Sequence, residues 1–471
     1  MAALLPLEDY VAEVIGELSP LEAVEAPLRQ AHGLVLAEDV SAAVPVPPWT
    51  NSSMDGYAVR AAELAGASAD SPVVLPVSQD VPAGARPETL APGTAARIMT
   101  GAMLPDGADT VVKVEDTDQE PGPHPLPERV ALLVAPPEGT AVRRAGEDVG
   151  VGDPVLGAGT VLSAAAVSSL ASVGRGSVRV VPRPRVAVVS TGSELVDPGE
   201  PLAAGSIPDS NGLLLAGLVE ESGARLVSTA RSGDTAEALA EVLVRAAEEA
   251  DLVVTSGGVS AGAFDPLTML AAAAREEAPV SLRFTKVAMQ PGKPQGHGTI
   301  RTSTGREVPL IMLPGNPVSV LVSFTTIVAP ALARLAGHDG AATAPAGAAP
   351  EPVLGAPLPV RARAAVAWRA AGPRRQYIPV RLVPAPEPLP DGVARDPQDL
   401  WVTRWVLPSH RLGSGSHLVA SLPAAEALAV VPEGTESVEV GDEVALLALA
   451  SPAVPGGGHL PVRATSPRSA R

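Results

Sequence analysis

Arg185-Val186-Ala187-Val188-Val189-Ser190-Thr191-Gly192-Ser193-Glu194 is an apolar run that stops at three hydroxyls, a glycine and an acid. An uninterrupted run of β-branched residues, without polar alternation, reads as a strand covered on both faces. The same grammar recurs at Leu226–Thr229, Leu252–Thr255 and Leu310–Leu313, with helical patterns near 211–222, 235–249 and 317–335. Buried-strand runs alternating with helices predict a parallel sheet covered by helices from Arg185 to about Leu335.

Three of these runs end in polar, glycine-bearing segments. They are Ser190-Thr191-Gly192-Ser193-Glu194, Thr255-Ser256-Gly257-Gly258-Val259-Ser260 and Leu313-Pro314-Gly315-Asn316-Pro317-Val318-Ser319. In an open parallel sheet the edge beyond the strands' carboxyl ends is where ligands bind. Glycines let backbone N–H groups approach an anion and hydroxyls add donors, so a phosphate, a pterin or an oxyanion suits such an edge. One glycine pair after a strand is usually only a tight turn; three at successive strand ends argue for a shared crevice.

Carboxylates accompany the same edge: Glu194 in the first loop, Asp234 before the 235–249 helix and Asp265 after the second loop. Acids beside an anion site make sense if a divalent cation bridges carboxylate and phosphate. Asp234 reads equally well as a helix N-cap, and Asp209 reads as a turn or cap residue. Lysine occurs only at 113, 286 and 293. In Gln290-Pro291-Gly292-Lys293-Pro294 a rigid turn presents Lys293, either as a fixed cation for an oxyanion or as a solvated surface lysine.

Outward from this domain the text changes. Leu7, Val11, Val14, Ile15 and Leu18 recur at helical spacing and predict an N-terminal packing arm over residues 7–40. From Pro45 to about Arg144, short apolar runs broken by Pro and Gly predict a β-rich unit, with a flexible loop at Gln119 to Glu128. His338 to Pro350 is Ala/Gly/Pro-rich and reads as a linker. Residues 352–449 predict a small β-barrel or sandwich, and the tail from Ser451 reads as disordered.

The 471 residues favour several cores, and with aromatics at 2% those cores must be aliphatic. A net charge of −18, from 52 acidic and 34 basic residues, argues against a nucleic-acid partner. Cysteine is absent, which excludes disulfides and thiolate chemistry and fits a cytoplasmic setting. No basic-then-apolar leader opens the chain, and no later window reads as the ~18 apolar residues of a membrane span.

Further segments join donors to acids: 47–60 with Asp55, 97–102 with Thr100, and Arg143 to Asp148. By chemistry alone Asp55-Gly56 is a turn. These segments, with Ser190–Leu195, Thr255–Asp265, Pro291–Pro294 and Leu313–Ser319, are ordered as in the molybdopterin molybdenumtransferase family, which the sequence closely resembles from about residue 7 to 449. The family includes bacterial MoeA and the E domain of gephyrin.

The resemblance implies an α/β plus β, multidomain, elongated subunit. Its parts would be a linker and dimerisation domain (7–46 and 146–180), an inserted β-rich domain (47–145), a molybdopterin-binding-like three-layer α/β domain (181–336), a linker (337–351), a C-terminal β-barrel domain (352–449) and a tail (450–471). It implies a homodimer whose cleft joins the α/β domain of one subunit to the inserted domain of the other. The reaction implied takes adenylylated molybdopterin and molybdate, releases AMP with Mg2+ present, and leaves molybdenum on the dithiolene sulfurs.

On that resemblance Glu194, Asp234 and Asp265 are assigned to magnesium or nucleotide. Lys293 and Ser319 are assigned to the oxyanion, with Arg374 and Ser414 as further candidates. Thr191, Gly192, Ser256, Gly257, Gly258, Ser260, Pro314, Gly315, Asn316 and Pro317 would line the substrate site. Asp55, Thr100 and Asp148 match positions linked to activity. Many relatives carry Lys where this chain has Gln290, so one positive charge is missing. The pathway's adenylyltransferase is a possible transient partner. Rival readings are that adenylyltransferase itself, usually a single domain, and a non-catalytic scaffold of the gephyrin kind.

Overall fold

Leu7, Tyr10 and Val14 fall on one side of helix α1 (Leu7–Gly16), and all three are buried. Together with Leu18 they pack into the core of the α/β domain, alongside Leu332 and Leu335. The N-terminal segment, expected to group with the linker, therefore begins as part of the α/β core. The computed structural model describes residues 4–259, 266–273, 278–338, 357–385, 404–410 and 415–449. Apart from Gly337 and His338, the expected linker 337–351 and the tail 450–471 lie outside them.

The α/β domain runs β1 (Arg185–Thr191), α2 (Ser210–Glu221), β2 (Arg225–Ser232), α3 (Ala236–Ala247), β3 (Leu252–Ser256), α4 (Pro266–Ala273), β4 (Val280–Thr285), β5 (Gln295–Arg301) and β6 (Glu307–Leu313). The sheet order is β2-β1-β3-β6-β5-β4. Strands β2, β1, β3 and β6 are parallel. Strands β5 and β4 then add antiparallel, so the all-parallel expectation is corrected to a mixed sheet. Gln295-Gly296-His297-Gly298 carries no apolar run, which is why no strand was legible there. Its glycines are steric: a Cβ at Gly298 would meet Ser281 O at 1.9 Å and one at Gly296 would meet Met312 Cε at 2.7 Å.

Successive residues of a strand point to opposite faces. Val186 and Val188 of β1 join α1, α2 and the last helix in one core; Ala187 and Val189 join α3 and α4 in the other. The last helix runs through α5 (Pro317–Ser323), a π turn (Phe324–Val328) and α6 (Ala329–Leu335). This segment, Pro317–Leu335, is long and apolar enough to span a membrane, with mean hydropathy 1.8, which corrects the expectation that no window would be. In the fold 83% of it is buried inside the protein, as an all-round apolar helix must be in a multilayer core.

The inserted unit is a five-stranded sheet ordered Thr110–Lys113, Gly56–Val59, Ala95–Ile98, Val73–Val81, Arg129–Leu132. The Arg97 guanidinium grips Asp80 at 3.0 and 2.5 Å and donates to the carbonyls of His124 (2.8 Å) and Pro125 (3.3 Å), tying down the loop read as flexible. Chain from both sides of the insertion, Val24–Pro27, Val35–Leu36 and Ser177–Val181, forms one sheet. Helix Ala164–Ser172, capped by Ser163, covers it. The C-terminal strands Arg375–Val383, Arg404–Pro408, Pro357–Ala364, Glu443–Ala448 and Ala427–Val431 close on themselves, so of barrel and sandwich the barrel is found.

Candidate active site

Register brings the polar loops to one edge. Ser190 lies opposite Ser256 and Ser256 opposite Leu313, so β1, β3 and β6 end level. Gly296 pairs with Met312, so antiparallel β5 starts where β6 ends. The crest thus reads, in order, Asp234 after β2, Thr191–Glu194 after β1, Ser256–Gly258 after β3, Pro314–Ser319 after β6, and Lys293 before β5.

These loops touch. The Thr191 hydroxyl donates to Ser256 O at 3.2 Å, the Gly257 N–H donates to Leu313 O at 3.0 Å, and Asn211 Nδ2 donates to Gly315 O at 2.6 Å. Gly257 has φ +87°, and a Cβ there would sit 2.8 Å from both Thr191 O and its hydroxyl oxygen. A Cβ at Gly258 would meet Leu267 Cδ1 and Thr191 Oγ1 at 2.9 Å, and one at Gly315 would lie 3.3 Å from Gly257 Cα. The glycines are needed for loops to pack against loops, whatever they hold. Pro314 is buried; Gly315 and Asn316 are exposed, and Pro317 opens helix α5. Ser260 lies outside the described residues.

Both described acids flank one turn. Gly192 (φ +140°) lies so close under Glu194 that an added Cβ would be 2.3 Å from its Oε2. Asp234 Oδ1 accepts the Ser193 N–H at 3.0 Å. The N-cap of α3 is Thr235, whose hydroxyl accepts the Ala238 N–H, so the capping reading of Asp234 does not hold. Asp209, by contrast, does cap α2, accepting the Gly212 N–H at 2.9 Å. Beside the turn opens a hollow of about 530 Å³, with Gly192, Ser193, Asp197, Arg231 and Gly233 on its walls. Asp265 lies outside the described residues, among which no three His, Cys, Asp or Glu side chains form a metal-holding group.

At the other flank stands the exposed Lys293. Its turn is flanked by two cis prolyl bonds, Gln290-Pro291 and Lys293-Pro294. Met289–Gln290 pairs with Arg375–Gln376 of the C-terminal barrel, which sets Arg374 beside the base of this turn. Ser319 sits in the first turn of α5 but is 3% exposed. The adjacent Val318 N–H donates to Ser416 O at 3.1 Å, so the C-terminal segment reaches the same helix start. Ser414 lies outside the described residues. Three strand spacings, roughly 14 Å, separate the Glu194 end of the crest from the Lys293 end.

The inserted domain brings together two residues 45 apart. Asp55 Oδ1 accepts both the Thr100 N–H, at 2.7 Å, and the Thr100 hydroxyl, at 2.8 Å. The pair is exposed and rests on Gly101 N–H to Ser52 O, 2.8 Å. Asp148 is exposed at the neck of the insertion, its N–H donating to Val46 O at 3.0 Å; among the described residues no hydrogen bond joins its side chain to Asp55 or Thr100. Sequence reasoning missed Asn211, which bridges α2 to the Gly315 loop, and Gln295, which is fully buried behind Lys293. Its only sequence signal was a polar residue directly after the Pro-Gly-Lys-Pro turn.

Three family models match the chain: the MoeA N-terminal region (domains I and II) over residues 5–174, a probable molybdopterin binding domain over 187–334, and the MoeA C-terminal region (domain IV) over 407–449. Molybdopterin molybdenumtransferase 2 of Mycobacterium tuberculosis is 44% identical over 329 residues, covering 69% of this chain and 78% of that protein. Molybdopterin molybdenumtransferase of Nostoc sp. is 41% identical over 312 residues, 66% of this chain and 69% of the relative. The crystal structure of the molybdopterin biosynthesis MoeA protein of Pyrococcus horikosii superposes with TM-score 0.72 at 30% identity, covering 95% of this chain and all of that one.

Proposed function

The chain belongs to the molybdopterin molybdenumtransferase family, and we propose that it transfers molybdenum from molybdate to adenylylated molybdopterin, releasing AMP. The observation that carries this reading is the charge layout of the crest. Acids stand at one flank, a lysine at the other, and a floor of glycines and hydroxyls spans the roughly 14 Å between. A phosphoanhydride held to the acids through a divalent cation at one end, and an oxyanion beside the lysine at the other, fit that layout.

Glu194 and Asp234 suit magnesium: two carboxylates flanking one turn offer hard oxygens and leave room for water and phosphate ligands. Once bound, magnesium neutralises phosphate charge and so eases cleavage of the anhydride. Asp234 keeps Oδ2 for this role because Oδ1 is committed to the Ser193 N–H, which also fixes the turn. The loops Thr191–Ser193, Ser256–Gly258 and Pro314–Asn316 orient the nucleotide and pterin, chiefly by alignment.

Lys293 attracts the tetrahedral molybdate, with Arg374 and Ser319 on the same side. Gln290, in place of a second lysine, contributes neutral hydrogen bonding only. Asp55 and Thr100 act from the partner subunit of a cytoplasmic homodimer, across a cleft that faces this crest, with Asp148 at its neck. The adenylylated substrate comes from an adenylyltransferase, with which transient contact fits the handover of a labile pterin.

The test is reconstitution of the purified protein with adenylylated molybdopterin, magnesium and molybdate. AMP release that requires molybdate supports the reading; AMP release indifferent to molybdate, or adenylyl transfer from ATP to molybdopterin, refutes it.

A further inference from the structure

Behind the lysine turn lies a side chain without charge and without exposure. Gln295 is 0% exposed at the first position of β5, two residues after Lys293. Its Nε2 donates to Gly292 O at 2.5 Å and to the Ser323 hydroxyl at 2.6 Å. A primary amide has two N–H donors, and both are used here. The Gly292 carbonyl can only accept, so Nε2 and not Oε1 must stand at this spot, and the orientation of the amide is set by that contact.

Each partner matters for position. Gly292 (φ +120°) is the residue directly before Lys293, and a Cβ there would sit 2.8 Å from Met289 Cε and 3.1 Å from Gln295 Nε2. Ser323 lies one helical turn below Ser319 on the same face of α5, and it is fully buried. One amide therefore ties the lysine turn to the helix whose first turn carries Ser319. The arrangement is costly, since Gln295 Oε1 is buried with no hydrogen-bond partner among the described residues. A packing role alone would be met by an apolar side chain of the same length.

We infer that Gln295 is a positioning residue for Lys293, setting the distance between the lysine turn and the start of α5 where the tetrahedral oxyanion is held. The inference rests on the proposed role of Lys293 and deepens it. Its specific content is that Gln295 governs the response to molybdate and not the response to the adenylylated pterin.

Gln295→Met keeps length and removes both donors; Ser323→Ala removes only the tie to α5. Both are measured in the intact protein by AMP release at varied molybdate and varied adenylylated pterin, with circular dichroism as the check on folding. The half-saturating molybdate concentration should rise about tenfold to a hundredfold, as expected for a misplaced binding group. The half-saturating pterin concentration should stay within about twofold. Lys293→Ala combined with Gln295→Met should be no worse than Lys293→Ala alone, because coupled residues are not additive.

Equal losses in both substrates, or an added loss in the double variant, would overturn the inference. Should Gln295→Met fail to fold, Ser323→Ala decides alone by the same criterion. An unchanged molybdate response in Lys293→Ala would sink the reading of the lysine itself. A raised requirement in Lys293→Ala, with none in Gln295→Met or Ser323→Ala, would sink only the role of Gln295.

Discussion

One carboxylate oxygen of Asp55 takes two hydrogen bonds from a single residue, the N–H and the hydroxyl of Thr100, at 2.7 and 2.8 Å. A carboxylate held by two donors cannot rotate freely, yet Asp55 is exposed, and among the described residues no hydrogen bond engages its second oxygen. Position is fixed while reactivity is left open, which is the condition for a group that works across a cleft.

Changing each partner in turn separates orientation from charge. Asp55→Asn is expected to lower kcat about a hundredfold and Thr100→Val about tenfold, since valine keeps the backbone N–H bond. Melting temperatures should hold, because both side chains are on the surface. A kcat for Thr100→Val as low as that of Asp55→Asn would show that the hydroxyl does more than orient.

If the Asp55 pair serves the partner's crest, two impaired variants should repair each other at a molybdate concentration that saturates only the wild type. Mixing subunits of Asp55→Asn with subunits of Lys293→Ala gives heterodimers with one intact site, and random exchange should restore about a quarter of wild-type activity. No recovery, with exchange verified by native mass spectrometry, would place Asp55 and Lys293 in the same subunit's site or outside any site.

The glycine floor is predicted to be intolerant of one methyl group. Gly257→Ala forces a positive φ on alanine and drives Cβ to 2.8 Å from Thr191 O. The combined strain and clash should cost about 2–4 kcal/mol of stability in urea unfolding. Gly199→Ala, at a positive φ but with nothing within 4 Å, should cost about 1–2 kcal/mol. Equal losses would mean that the loops do not pack as described.

His297 gives the fold a pH signature. It is 2% exposed, 5.5 Å from the Tyr10 ring, and its Nε2 lies 3.6 Å from Glu13. Burial pushes its pKa below the ordinary 6.5; Glu17 and Glu13 oppose that shift and Arg283 reinforces it. The unfolded chain therefore binds the proton first. Stability from the neutral ring is complete above pH 6.5 and declines as pH falls toward the lowered folded value. His297→Phe should flatten that part of the profile, so the difference in melting temperature between variant and wild type should change between pH 7.5 and about pH 5. A constant difference would refute the assignment.

The parallel strands of the α/β domain announced themselves because buried parallel strands need continuous apolar runs, and three of those runs ended in polar, glycine-bearing turns. The same local logic failed for β5. Its glycines and buried Gln295 and His297 are chosen by neighbours on β4, β6 and α1, which are remote in sequence. It failed likewise for Asp234, where a capping residue and a loop-holding residue look identical until Thr235 is seen to cap and Ser193 to supply the donor.

The four parallel strands, the edge of glycine-bearing turns and the presence of acids and one rigid lysine turn were thus determined by sequence alone, since they depend on spacing and backbone preference along the chain. Which acid meets which amide, that Thr100 seizes Asp55, and that an uncharged amide anchors the lysine turn were decided only by tertiary structure. Hydrogen bonds act over about 3 Å, and only the folded chain brings groups separated by tens of residues within that reach.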